Sequence, residues 1–175
     1  MTQVPTPQVV LKPEEARFKD NVTVLCQLVQ KCQGQLKAAG RTDLPEMQLA
    51  IAVAFLGAME PRPLHEAFIT HSYKTKGETW NAVKEESSQY FIKNADALFG
   101  SLPIQSANIL KDVFESSVVA AEEIAKIWVC LRNMTKLCIK FISRERMTNP
   151  GFMSQVDLVT HAKTWGIDLK PYALV

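Results

Sequence analysis

Leu64-His-Glu-Ala-Phe-Ile-Thr-His-Ser-Tyr73 is the stretch on which the reading of this chain turns, and Asp112–Glu115 is its counterpart further on. The first follows a Pro61–Pro63 pair that suits the opening turn of a short helix. Upstream, Phe18, Val22, Leu25, Leu28, Val29, Cys32 and Leu36 recur at three- and four-residue spacing and predict a helix from Pro13 to about Ala39, with Gly40 as its cap. A second helix is expected over 44–56, nearly all Ala, Ile, Val and Leu, ended by Gly57. Downstream, a polar loop at 74–79 leads to a helix over 79–99, and Gly100–Pro103 breaks the chain. The longest element is expected over 105–146, with an interruption near Asn133. Its apolar stripe is Leu110, Val113, Phe114, Ser117, Val118, Ala121, Ala125 and Trp128. A last helix over 152–164 and an extended tail at 169–175 complete an all-α chain.

Length and composition bound the function. At 175 residues, with 47% hydrophobic and 22% charged residues, the chain suits one globular domain. A net charge of +2 supplies no overall positive field for nucleic acid, so RNA contacts must come from local patches. The candidates are Lys74 and Lys76, and the run Lys136, Lys140, Arg144, Arg146; the plainer reading of that run is the solvated side of a helix. Cys26, Cys32, Cys130 and Cys138 form no CxxC pair, so no metal site is expected of them and they read as buried free thiols. No apolar run of spanning length exists, and the polar, proline-rich beginning does not read as a signal peptide. Residues 1–13 read as an extended arm, 14–148 as a helical domain, and 149–175 as a helix and docking tail.

Asp112 and Glu115 lie three apart on the long predicted helix, opposite its stripe, with Glu122 nearby on that side. Two carboxylates at this spacing can share a hard divalent cation. Two-metal phosphodiester cleavage needs a larger acidic set, and acidic pairs on exposed helices are common.

Lys111-Asp-Val-Phe-Glu-Ser-Ser-Val-Val-Ala120 resembles the helix A-D-V-F-E-A-L-I-G-A of the ribonuclease III family. Leu56-Gly57 and the 64–73 block are similar to that family's L-G-Y-x-F and L-L-x-x-A-x-T-H-x-S-Y. The resemblance implies a ribonuclease III-like helical domain, here with an extra N-terminal helix and an extended arm. It places Asp112 and Glu115 in the family's metal site. It also implies that Ala67 is a small residue allowing helices to approach, that Thr70, His71 and Ser72 close their helix with hydrogen bonds, and that Tyr73 belongs to the same structural motif.

The departures decide the activity expected. The family's signature helix, N-E-R-L-E-F-L-G-D-A-V-L, is best matched by Ser87-Ser-Gln-Tyr-Phe-Ile-Lys-Asn-Ala95, which puts Ser87, Tyr90 and Asn94 at the three acidic positions. Sliding the register brings in Glu85, Glu86 or Asp96 but misaligns the apolar residues. The spacing between the blocks is also shorter than the family's by one or two helices. The expectation is a pseudoenzyme with no cofactor and no bound metal. Residues 149–175 resemble the passage into a double-stranded-RNA-binding domain, where an L-P-x-Y-x-V strand follows a helix, but no complete module is expected.

Silent domains of this family serve as structural proteins of the mitochondrial large ribosomal subunit and as partners in mitochondrial RNA editing. The leading expectation is therefore a mitochondrial ribosomal protein. Its partners would be rRNA or other structured RNA, neighbouring proteins, and a related ribonuclease III-like subunit in a heterodimer, with no membrane. The alternative is a noncatalytic dimer partner of a ribonuclease III-type enzyme in an RNA-processing or editing complex. An active compact nuclease using Glu85, Glu86 or Asp96, and a plain helical interaction module, are the remaining classes.

Overall fold

The computed structural model describes residues 13–98 and 107–174. Its described elements are α1 (Glu14–Ala38), α2 (Glu46–Ala58), α3 (Pro61–Ser72), α4 (Glu78–Lys84), α5 (Ser88–Lys93), α6 (Ala107–Glu115), α7 (Ala121–Arg146), α8 (Leu158–Thr164) and a 3₁₀ turn at Lys170–Tyr172. The chain is all-α, with no strand among the described residues. Residues 1–12 of the arm expected over 1–13, and the break at Gly100–Pro103, lie outside them.

The two long helices form the spine, because each carries an apolar stripe. On α1, Phe18, Val22, Leu25, Val29, Cys32 and Leu36 are buried, as their spacing predicts. On α7 the buried set includes Ile127, Leu131, Met134, Cys138, Phe141 and Ile142. α1 packs along α7 and touches α3, α6 and α2; α7 also carries α4 and α8, and α5 lies on α6. Lys19 on α1 donates to the Gly57 and Met59 carbonyls at 2.9 and 2.6 Å. This puts a cation at the negative end of α2.

α1 ends in a Schellman closure, with Gly40 at φ 96° and its N–H on the Lys37 carbonyl while Arg41 N–H reaches Leu36. Pro13 precedes the first helical residue rather than occupying it. Gly57 does not end α2. The helix continues to Ala58, and the break follows from Pro61, which holds Glu60 in the extended region (ψ 148°).

Three expected elements take a different form. The helix over 79–99 is two short ones. Glu86 adopts φ 53°, its N–H bonds the Val83 carbonyl and that of Ser87 bonds Ala82, so α4 closes in a Schellman motif without a glycine. The element over 105–146 breaks at 116–120, not near Asn133, which lies inside α7. There Ser116 Oγ accepts from Val118 N–H at 3.1 Å and Gln35 Oε1 accepts from Ala120 N–H at 3.3 Å. These bonds replace helical ones across the gap. The expected stripe does not survive the break: Ser117, Val118, Ala121 and Ala125 are exposed.

The third difference is at the C-terminus, where turns occupy 149–156, only Leu158–Thr164 is α-helical, and the tail forms a 3₁₀ turn instead of an extended strand. Arg146 holds those turns on the end of α7. Its guanidinium donates to the carbonyls of Phe152, Met153 and Val156 at 2.9, 2.7 and 2.9 Å. Val156, Leu158, Ala162, Trp165 and Leu169 join the same hydrophobic cluster as α1 and α7. The 149–174 segment is thus packed as part of the core. No described helix is long and apolar enough to cross a membrane.

Candidate functional site

The 64–73 block forms α3, and its side chains tie that helix to distant elements rather than closing its own end. Ser72 Oγ, fully buried, accepts the Trp80 indole N–H at 2.9 Å. The Tyr73 hydroxyl accepts from Asp157 N–H at 3.0 Å and lies 3.0 Å from His161 Nε2. That contact is one hydrogen bond, with the imidazole tautomer setting which group donates. Burial pushes the His161 pKa down, so the ring is neutral. Tyr73, Trp80 and His161 meet edge to face at centroid separations of 5.0–5.4 Å. His71 Nε2 is 2.6 Å from the Asp96 carbonyl and must be the donor. Thr70 is exposed, and so is Ala67, so the close helix approach expected there is not made among the described residues.

The carboxylates of α6 have a different setting. Asp112 is half-buried and lies 3.6 Å from Nη2 of Arg41, which also grips Asp43 through two bonds of 2.6 and 2.9 Å. Glu115 is exposed at the last position of α6. Glu122 lies beyond the break, on α7, paired with Lys126 at 2.8 Å. Among the described residues no group of three or more His, Cys, Asp or Glu side chains is placed to hold a metal ion.

The segment matched to the signature helix lies next to α6. Phe91 of α5 meets Phe114 at 6.2 Å and Trp128 at 5.8 Å, and Phe114 stacks on Trp128 at 4.8 Å. Its polar positions serve local structure. Ser87 completes the closure of α4. Tyr90 Oη bonds Thr79 Oγ1 at 2.9 Å, and Asn94 Nδ2 donates to the Tyr90 carbonyl at 2.9 Å. Of the acidic residues reached by sliding the register, Glu86 pairs with Arg132 and Glu85 caps α4.

The basic run on α7 divides in two. Arg144 is engaged by Glu14, by Glu15 at 2.5 Å and by Glu145 at 3.1 Å, and Arg146 by the three carbonyls already described. Lys136 and Lys140 have no acidic partner among the described residues. They line a cleft of about 370 Å³ with Trp165, Ile167 and Tyr172. Lys74 and Lys76 border an open depression of about 580 Å³ with Thr70, Gln155 and Asp157.

Periodicity gave no sign of several residues that organise this region. Arg41 reaches Asp112 across a sequence separation that no local pattern reports. Glu123 is buried beside Lys31 at 2.7 Å, and that bond holds its carboxyl below the usual range. His65 is fully buried between Phe18 and Phe141. Burial raises the thiols of Cys26 and Cys32 to about 11, and Cys138 is raised well above its ordinary value. None is primed as a nucleophile. No protein-family model, no curated protein and no solved structure matches the chain.

Proposed function

We propose that this chain is a catalytically silent, ribonuclease III-like structural protein of the mitochondrial large ribosomal subunit. In that role it contacts rRNA and neighbouring proteins and pairs with a related subunit. The observation that carries the silent half of the reading is the pairing of Asp112 with Arg41 at 3.6 Å, with Glu115 at a helix end and without a partner among the described residues. Two-metal hydrolysis needs several carboxylates converging on two cations about 4 Å apart. Here a guanidinium stands against one carboxylate, and Ser87, Tyr90 and Asn94 make local hydrogen bonds or closures. The adjacency of α5 and α6 supports the family resemblance, because it brings the signature-like segment beside the Asp-Val-Phe-Glu helix. Lys136 and Lys140, with Lys74 and Lys76, are the cations this reading assigns to phosphates.

The net charge of +2 favours a second reading in which protein contacts dominate. In it, the chain is a noncatalytic dimer partner of a ribonuclease III-type enzyme in a mitochondrial RNA-processing or editing complex.

Gradient sedimentation of cell lysate separates the two. The ribosomal reading expects the chain in the large-subunit peak, displaced when RNA is digested; sedimentation only with a nuclease complex transfers the role to the second reading. The purified chain is expected to leave duplex RNA uncut in Mg²⁺. Cutting that is abolished by Glu115→Gln would overturn both.

A further inference from the structure

α2 has two apolar faces and only one is covered. Leu49, Ala52 and Leu56 turn inward against α1 and are buried. On the other side Met47, Ile51 and Phe55 are 74%, 51% and 43% exposed, and Ala50, Ala54 and Ala58 beside them are exposed too. A helix that is apolar all round is ordinarily covered all round. Among the described residues, the remaining large exposed apolar residues belong to other segments: Val24, Val118, Val129, Met147 and Val159. Scattered residues of that kind are ordinary; a continuous helical face is not.

We propose that the outward face of α2 is a self-association surface, covered in solution by α2 of a second copy of this chain. The shape of the face identifies the occupant. Met47, Ile51 and Phe55 are spaced four apart and form a ridge, and Ala50, Ala54 and Ala58, also four apart, form the shallow row next to it. Two such helices pack with each ridge in the other's groove, the i±4 arrangement that crosses at about −50°. A two-fold axis near Ile51 and Ala54 satisfies both helices at once, as an isologous contact requires.

Charge agrees with this pairing. No charged residue lies between Glu46 and Glu60, so a symmetric contact brings no like charges together at its centre. Glu46 at the rim is neutralised within its own chain by Lys37 at 2.9 Å. The exposed fractions amount to roughly 500 Å² per copy, or about 1,000 Å² per pair, the size of a weak, reversible interface. The inference is independent of the ribosomal reading, because it concerns the isolated chain and a surface that excludes Asp112 and the lysine clefts.

Sedimentation equilibrium of the full chain, loaded from about 1 to 500 μM, tests it. The expected result is a reversible dimer with a dissociation constant of about 10–100 μM, in the weak range for such an area. Ile51→Lys should weaken it at least ~10-fold, since two ammoniums then meet at the axis. Met47→Glu, at the most exposed position, gives the same reading where Ile51→Lys disturbs folding, and circular dichroism of each variant should match wild type. In a Cys26→Ser background, Ala54→Cys should yield a disulfide-linked dimer on oxidation. A wild-type chain that stays monomeric at 500 μM overturns the proposal and leaves the face to a different protein. A dimer indifferent to both charge substitutions overturns it equally.

Discussion

Replacing Gly77 with alanine is expected to lower the melting temperature by about 10 °C, corresponding to about 3 kcal/mol in a domain of this size. Gly77 precedes α4 with φ 99°, where a side chain is strained. A Cβ there would lie 2.5 Å from Cε1 and 2.7 Å from Nε2 of His161. That ring cannot simply move aside. It is 6% exposed, bonded to Tyr73, and enclosed edge to face by Tyr73 and Trp80. Gly34 is the internal contrast, since it lies within α1 and a Cβ there meets nothing within 4 Å. Gly34→Ala should raise stability by about 0.5–1 kcal/mol through helix propensity and the unfolded chain's lost freedom. Thermal melts of the two variants should move in opposite directions. A Gly77→Ala melt within 2 °C of wild type would refute the close packing of α4 on α8.

Acid should weaken the fold well before the ordinary carboxylates titrate. His65 is stacked between Phe18 at 4.1 Å and Phe141 at 4.5 Å, with neither ring nitrogen bonded to another protein group. Burial pushes its pKa down to about 3, and the nearby Arg144 charge adds to the shift. The folded state therefore requires the neutral ring, whereas the unfolded chain protonates it near the ordinary value of about 6.5. Stability from this residue is complete above that pH. It declines by about 1.4 kcal/mol per unit as pH falls from 6.5 toward 3. Between pH 7 and pH 5 the loss from His65 alone should be about 2 kcal/mol. His161, depressed in the same direction, adds to it. Denaturant titrations at the two pH values measure this, and His65→Leu should remove His65's share of the difference whatever it does to stability at pH 7. An identical pH difference in the variant would mean that His65 is not held neutral in the core.

What the sequence disclosed and what it hid follow from the range of the interactions. α1 was readable almost to its ends because its stripe and the Gly40 cap are local. The 64–73 helix was readable for the same reason, introduced by Pro61 and Pro63. The breaks at 85–87 and 116–120 were not readable. One depends on Glu86 adopting a left-handed conformation that usually takes glycine, and the other on Gln35 reaching the Ala120 amide from another helix. That second break also scattered the stripe drawn through Ser117, Val118 and Ala121. In the candidate site, Asp112 and Glu115 were legible as a pair at helical spacing. The Arg41 guanidinium beside Asp112 was not, and neither was the division of the basic run into Arg144 and Arg146, which are bonded, and Lys136 and Lys140, which have no acidic partner among the described residues. Ser72 and Tyr73 were legible as structural residues, but their bonds run to Trp80, Asp157 and His161 rather than to their own helix end.

On the proposed function, a nuclease-like helical domain with Arg41 3.6 Å from Asp112 persists as a component of a ribonucleoprotein. Native mass spectrometry of the assembly captured with the tagged full chain tests it most directly. The expected result is a mass containing large-subunit rRNA and ribosomal proteins, with this chain present at one copy beside a related subunit. Recovery of the chain without RNA or ribosomal proteins would contradict it.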